Sequence, residues 1–502
     1  MKNSEKTAKT TEPLKQMDLK DDHDTDNNNK SVITTKKLLM VSLGCAKNLV
    51  DSENMCQIVK DAGIELVFDP KEANIIVINT CGFIESAKKE AIDKILEMAD
   101  YKNPMENDSL DSNGIYNSAD KKAKCEFIIV TGCLAQRYSK DIQLQIPEVD
   151  AVLGTAAYGM ILQTIEELYN NINNDSNDHR QIVHTEAAGS LSHLSTSRTP
   201  TTKGYAYIKV AEGCSNRCSF CAIPGIRGDF HSRPIETLVQ EAQYLSNLGI
   251  YEVILIAQDT TRYGTDIYGY QALPELIRNI SVIENIRTIR ILYCYADGIT
   301  DELILEMKNN PKVANYIEMP IQHSNNAILK RMNRRDTTQK IEQVVKALRK
   351  AMPDITIRTT VMVGFPGETN DEFEDLLKFI NKMKFDLLGC FIFSPEEDTP
   401  AYKMRPKVLK STATKRYNAI MAAQKIIVVA KNFKKIKKKF QITIESITPD
   451  GVFYLGRSYA QAPEIDPMTL VVATIQPLEY GKQYRVKIVE TSEYDLIGVT
   501  IK

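Results

Sequence analysis

The amino-acid sequence predicts an α/β protein in three parts: an N-terminal parallel α/β sheet domain, a central partial (β/α)6 barrel and a small C-terminal β-barrel. Three patterns carry that prediction. Strand-like apolar runs alternate with helical patterns from the start of the folded region, as in a parallel sheet. Six further strand–helix units follow residue 204. Beyond residue 438 the chain changes to short alternating runs broken by Gly, Pro and Asp, the pattern of a small barrel.

In chain order, residues 1–36 alternate Lys, Asp, Asn and Thr, lack the apolar stretch of a secretion signal and read as a disordered extension. Residues 37–170 are expected to form the first domain. It opens with three runs that each end in a cysteine: "KLLMVSLGC" at Cys45, "NIIVINTC" at Cys81 and "FIIVTGC" at Cys133. Right-handed crossovers put successive strand ends on one edge, so the three thiols are expected at the crevice where open α/β sheets bind ligands. The gaps between them, 36 and 52 residues, each leave room for a helix, such as the pattern beginning at Glu85. The surplus in the second gap, "YKNPMENDSLDSNGIYNSADKK", reads as a polar surface insertion. Residues 171–203, rich in Asn, Ser and Thr, read as a linker.

Residues 204–438 supply the central domain. Its six strand-like runs are "AYIKVAE", "VILIAQD", "RTIRILYCY", "YIEMPIQ", "ITIRTTVMVGF" and "LLGCFIFS". Helices are expected after Pro234, Pro274, Thr300, Asn325, Asn370 and Ser411, and chemistry at the carboxyl ends of the strands. In residues 439–502 the runs "FQITIES", "VFYLGRS", "LVVATI" and "YRVKIVE" predict the closing barrel.

The overall charge of −2 identifies no partner. Its distribution is more telling: Lys403–Lys439 holds 13 Lys and Arg with no acid, whereas Gln441–Lys502 holds eight acids against five bases. No segment reaches the ~18 consecutive apolar residues of a membrane span. A soluble, cytoplasmic protein without membrane contact is therefore expected. Ten cysteines without a secretion signal predict reduced thiols for metal or catalysis instead of a disulfide framework.

"GCSNRCSFC" spaces Cys214, Cys218 and Cys221 by four and three residues and offers no fourth. A structural zinc site would need a distant fourth ligand and usually shows a matching second pair. Three thiolates suit an iron–sulfur cubane that keeps one iron open for a small chelating ligand. Taken singly, Cys45, Cys81 and Cys133 would each read as a buried thiol. Their shared position at strand ends, beside Gly44, Ala46, Gly82 and Gly132, points to a second three-cysteine cradle.

Cys-x3-Cys-x2-Cys with Phe220 before the last cysteine, after the first strand of a six-unit barrel, resembles the radical S-adenosylmethionine superfamily. That resemblance implies S-adenosyl-L-methionine bound at the open iron and cleaved to a 5′-deoxyadenosyl radical. "SLGCAKNLVDSE", "INTCGFIESAKKE", "TGCLAQR" and "AEGCSNRCSFCAIPGIRG" together resemble the methylthiotransferases from about Leu38 to Lys502. The family implies two 4Fe–4S clusters, at Cys45/Cys81/Cys133 and at Cys214/Cys218/Cys221, and a C-terminal barrel called TRAM. It also implies that the second cluster holds the sulfur to be transferred. "SLGC.KNLVDSE" and "GRSYAQAPEIDP" resemble the branch that modifies an aspartate of small-subunit ribosomal protein S-twelve. Ala46 and Asp466-Pro467 depart from that branch, which usually has proline and Asp-Gly there.

The acidic C-terminal part fits a basic protein partner, and the basic run fits secondary nucleic-acid contact. Two alternatives stay open: a transfer-RNA adenosine methylthiotransferase, and an electron-transfer protein with two saturated clusters. Sulfur and electron donors are implied as partners. "VMVGFPGET" offers Gly364 and Gly367 for a contact with S-adenosylmethionine or a tight turn, and Gln258 and Asp259 end a strand at the active edge. Cys56, Cys125, Cys294 and Cys390 read as core, and His231 and His323 as loop or core residues. No catalytic acid or base is assigned.

Overall fold

The computed structural model describes residues 33–102, 124–173, 181–185, 191, 193–474 and 476–501. The expected extension up to residue 32, residues 103–122 of the polar insertion and parts of the expected linker lie outside the described residues.

The N-terminal region is a six-stranded, wholly parallel sheet. Across the sheet the strands run Glu65–Val67, Lys37–Ser42, Ile75–Thr80, Phe127–Gly132, Ala151–Leu153 and Ile182–His184. Ile75–Thr80 and Phe127–Gly132 are buried at every position. Helices cover both faces, so a run of Ile and Val replaces the alternation of a one-sided sheet. One face packs around Ile76, Ile78, Ile95 and Val130, the other around Val77, Met55, Ile129 and Ile161.

In the central region all six expected runs are strands: Tyr205–Lys209, Glu252–Ile256, Thr288–Ile291, Tyr316–Glu318, Thr356–Val363 and Leu387–Ile392. They form two parallel three-stranded sheets joined through an isolated parallel bridge between Ile289 and Val313. Helix starts follow capping chemistry: Thr300 accepts from the Leu303 amide, Asn325 from Ala327 and Ile328, and Thr369 with Glu372 makes a reciprocal box. The single helix expected after Asn325 is two, Asn326–Arg331 and Thr338–Ala351, the second capped by Thr337. Five strands from Lys439 to Thr500 close a barrel.

The expected linker is more than a tether. Ile182–His184 adds the sixth strand to the N-terminal sheet. His193 and Arg198 are buried: His193 Nε2 meets Asp51 at 2.9 Å, and Arg198 pairs with Glu53 of the first domain and, at 3.0 Å, with Glu241 of the second. The C-terminal barrel is clasped as firmly. Arg457 and Arg290 both bind Glu252, at 2.8 and 2.7 Å. Tyr316 donates to Asp466 at 2.8 Å, and Asp466 also accepts the Ala462 amide, so "GRSYAQAPEIDP" is a docking loop on the central region. Val50, Tyr207, Ile256, Tyr316 and Ala462 share one apolar cluster, which joins all three regions.

Candidate functional site

Matched strand ends bring the first three cysteines to one edge. Ser42 lies opposite Asn79, and Thr80 opposite Gly132, so the chain leaves the sheet at the same level in all three strands. Cys45 caps the helix Ala46–Asp61 and Cys133 begins the helix Cys133–Gln145. Both thiols therefore face the positive end of a helix, where an anion is favoured.

The neighbouring glycines make the approach possible. A Cβ on Gly44 would lie 2.8 Å from Cys81 Cβ, and one on Gly82 would lie 2.8 Å from the Leu134 amide and 2.9 Å from the Cys133 carbonyl. Gly132 has φ +97°, and a Cβ there would sit 2.4 Å from the Thr80 carbonyl oxygen. Asn48 binds the corner together, its amide donating to the carbonyls of Leu43 and Thr80 at 3.0 and 2.9 Å.

Over this corner lies Arg227, six residues past Cys221 and almost wholly buried. Its Nε donates to Cys133 Sγ at 3.4 Å, Nη2 to Asn48 Oδ1 at 2.6 Å, and Nη1 to Asp51 at 3.1 Å and Glu212 at 3.0 Å. Lys209 pairs with the same two acids, at 2.6 Å for Glu212. Gln258 donates to Glu212 at 2.9 Å. Burial would raise the two carboxyls, but Arg227 and Lys209 outweigh it: Glu212 is held down to about 2 and Asp51 well below the carboxylate range. Burial also pushes up the thiols of Cys81, to about 12, and Cys133, whereas for Cys45 the charges of Lys47 and Arg227 overcome it and the pKa falls.

Cys214, Cys218 and Cys221 lie together after the barrel's first strand. Gly213 has φ +74°, and a Cβ there would stand 2.0 Å from the Asp229 carbonyl oxygen, so the turn into the loop requires glycine. Cys214 donates its amide to Gly228 at 3.0 Å and Cys221 to Cys218 at 3.0 Å. Phe220 packs against Ile328, Met332, Phe365 and Ala401 and anchors the loop from below. Tyr295 hydroxyl approaches Cys218 Sγ at 3.8 Å, and the Arg334 guanidinium, paired with Asp336, stacks 4.3 Å from the Tyr295 ring. Burial raises all three thiols, Cys214 to about 11.

All six thiols are free. Each triad presents three soft ligands, the donor set of an iron–sulfur cluster, and ligation replaces the proton that burial retains. Among the described residues no His, Cys, Asp or Glu side chains converge as ligands of a single metal ion do. Thiolates around a four-iron cubane bind three different irons and need no such convergence.

The other singled-out residues have internal partners. Gly364 has φ +77° and its amide donates to Glu368; a Cβ there would lie 2.7 Å from Ala413 Cβ, so helix packing accounts for it. Asp259 accepts from Asn216 at 2.7 Å. His323 is buried and accepts the Asn325 amide at 3.0 Å, and His231 is exposed on a two-residue strand. Cys125, Cys294 and Cys390 are buried and Cys56 half-buried. Asp51, Lys209, Glu212, Arg227 and Tyr295 received no role from the sequence. Lys209 and Glu212, opposite charges three residues apart in the apolar run "AYIKVAE", are the one visible sign of buried pairing.

Three family models match the chain in order. They are Uncharacterized protein family UPF0004 over residues 37–154, the Radical SAM superfamily over 208–380 and the TRAM domain over 436–501. Ribosomal protein uS12 methylthiotransferase RimO of Acetivibrio thermocellus is 46% identical, covering 93% of this chain and 98% of the relative. The protein of the same name in Clostridium kluyveri is 46% identical over 92% and 98%. Among solved structures, the radical S-adenosylmethionine methyltransferase TsrM from Kitasatospora setae, with cobalamin and a 4Fe–4S cluster bound, aligns with a TM-score of 0.52. It shares 13% identity over 73% of this chain and 77% of its own, a likeness of fold alone.

Proposed function

This chain belongs to the family of ribosomal protein uS12 methylthiotransferases, and from that premise we propose that it inserts a methylthio group at the β-carbon of an aspartate of uS12. It is a radical S-adenosylmethionine transferase with two 4Fe–4S clusters. Cys214, Cys218 and Cys221 hold the cluster that binds S-adenosylmethionine, and Cys45, Cys81 and Cys133 hold the other. When bound, the first would supply the electron that cleaves S-adenosylmethionine so that a C–H bond can be opened, the second would carry the sulfur, and another S-adenosylmethionine would supply the methyl group.

The side chains orient and insulate these groups. Arg227, at the end of the helix Ile223–Arg227 that follows the other triad, donates to Cys133 Sγ and so ties the two cradles together. Asp51 and Glu212 balance Lys209 and that guanidinium, a closed set of two negative and two positive side chains beside the N-terminal cradle. Tyr295 and Arg334 support Cys218 from the barrel side. Residues 37–170 serve as the sulfur-bearing domain, 204–438 as the radical domain and 439–502 as the TRAM domain. No helix among the described residues is long and apolar enough to cross a membrane, which suits action in the cytoplasm on uS12 or the assembled ribosome. A sulfur donor and a one-electron donor complete the reaction. The basic segment Lys403–Lys439 provides secondary contact with RNA near the target.

The observation that supports this most is the pair of three-thiol cradles joined through one buried guanidinium in a chain that aligns end to end with uS12 methylthiotransferases. Mass spectrometry of uS12 and nucleoside analysis of transfer RNA, in cells lacking the chain, test it. Loss of the uS12 modification alone is expected. Loss of a transfer-RNA methylthio group with uS12 intact would reverse the choice of substrate.

A further inference from the structure

Nine Lys and Arg residues are buried among the described residues: Lys47, Arg198, Lys209, Arg227, Arg233, Arg290, Arg334, Arg416 and Arg457. Eight of them touch a carboxylate. Lys47 does not. It is 7% exposed, and no carboxylate oxygen among the described residues lies within 4.0 Å of its Nζ. Its close neighbours are the face of the Tyr293 ring, 3.1 Å from Nζ to the centroid, and the Cys45 thiol, whose pKa its charge lowers. A ring face attracts a cation but does not replace a counter-ion in a desolvated place. The other eight are paired with carboxylates, so Lys47 alone among them can take a carboxylate that arrives.

Its position says what arrives. Lys47 stands two residues past Cys45, in the first turn of Ala46–Asp61. Tyr293 lies just beyond the strand Thr288–Ile291, and its amide donates at 3.0 Å to Glu318, the last residue of the next barrel strand. The ammonium therefore faces the carboxyl ends of the barrel strands from the sulfur-bearing side. Glu318 is the nearby acid, but its carboxylate accepts the Tyr293 amide and lies beyond 4.0 Å of Nζ.

We propose that Lys47 is a specificity-determining residue that binds the side-chain carboxylate of the target aspartate and thereby sets its β-carbon between the two cradles. The inference rests on the substrate proposed above. In that substrate the carboxylate is bonded directly to the carbon that is modified, so one ion pair fixes the reacting atom. The charge-assisted pair forms only with an anionic residue, so an amide or an alanine at the target position would lose it.

The test uses the full-length holoenzyme, the variants Lys47→Met and Lys47→Arg, and uS12 carrying either its native aspartate or asparagine at the target. Product formation by mass spectrometry and uS12 binding are measured together with iron content and the paramagnetic signal of the N-terminal cluster. The wild type is expected to favour aspartate over asparagine. Lys47→Met is expected to lose that preference and to bind aspartate-bearing uS12 roughly 10–100-fold more weakly, with iron content unchanged. Lys47→Arg is expected to recover part of the preference. An unchanged preference in Lys47→Met overturns the proposal, and so does loss of N-terminal iron, which would make Lys47 a counter-ion of the cluster. Wild-type enzyme that leaves both forms of uS12 unmodified sinks the parent reading and this one with it, a result distinct because it precedes any variant.

Discussion

Cys214, Cys218 and Cys221 lie within eight residues on one loop, whereas Cys45, Cys81 and Cys133 come from three strand ends spread over 89 residues. The local triad is shaped by its own turn: Gly213 in the left-handed region, Phe220 as an apolar anchor and two backbone hydrogen bonds. The dispersed triad depends on the register of a whole sheet, and a slip of one residue would turn each thiol to another face. It also depends on a guanidinium from the other domain. A loop can hold three ligands alone, but the dispersed set is completed only when the two domains are docked.

Cys218→Ala tests the local triad with the largest effect: two thiolates do not retain the open-cornered cubane, and no 5′-deoxyadenosine forms when reduced protein meets S-adenosylmethionine. Product formation at the wild-type rate would remove that loop from the chemistry. Cys81→Ala separates the triads. It is expected to halve the iron content and stop sulfur insertion into uS12, with 5′-deoxyadenosine still formed; insertion at the normal rate would refute the role given to the N-terminal cradle.

Arg227→Met asks whether the cradles are coupled. It leaves Asp51 and Glu212 to share Lys209, an excess of one buried negative charge, at a cost of up to about 3–5 kcal/mol. The N-terminal cluster is expected to be held roughly 10–100-fold less tightly, the range for loss of an outer partner of a metal ligand. Iron release from that cluster alone, followed with a chelator, checks it. Equal release from both would show a general loss of structure.

The smallest effect lies farthest from the thiols. Burial would raise Glu252, but Arg457 and Arg290 hold it down to about 2, against 4.5 for the free group. Its folded pKa is depressed, so its contribution is complete above pH 4.5 and is lost as the pH falls toward 2. Denaturation midpoints measured across that window should fall further for the wild type than for Glu252→Gln. Equal falls would show that the C-terminal docking is not held by this pair.

Period and position made much of this legible. Six parallel barrel strands follow from six apolar runs, and the repeated cysteine at a strand end places three thiols at one edge because parallel crossovers leave no other arrangement. Capping residues such as Thr300 and Asn325 announce helix starts. The helix Thr338–Ala351 carries Ile341, Val344, Val345 and Leu348 on one face, a readable period merged there with the shorter helix before it. Charge pairing was not legible: Arg227 finds Asp51 and Asn48 at separations of 176 and 179 residues, and no local pattern encodes such a match. The polar stretch around His193 and Arg198 misled for the same reason, since a polar residue whose partner lies in another domain has the composition of a loop.

The segment that carries His193 and Arg198 sets a limit on dissection. A chain severed after residue 203 would leave Asp51, Arg198 and Asn48 on one fragment and Lys209, Arg227 and Glu241 on the other, each with groups shaped for partners it no longer has. Neither fragment would be a smaller enzyme. The radical and sulfur halves would have to be produced together and recombine in trans before either could reach its native ionisation.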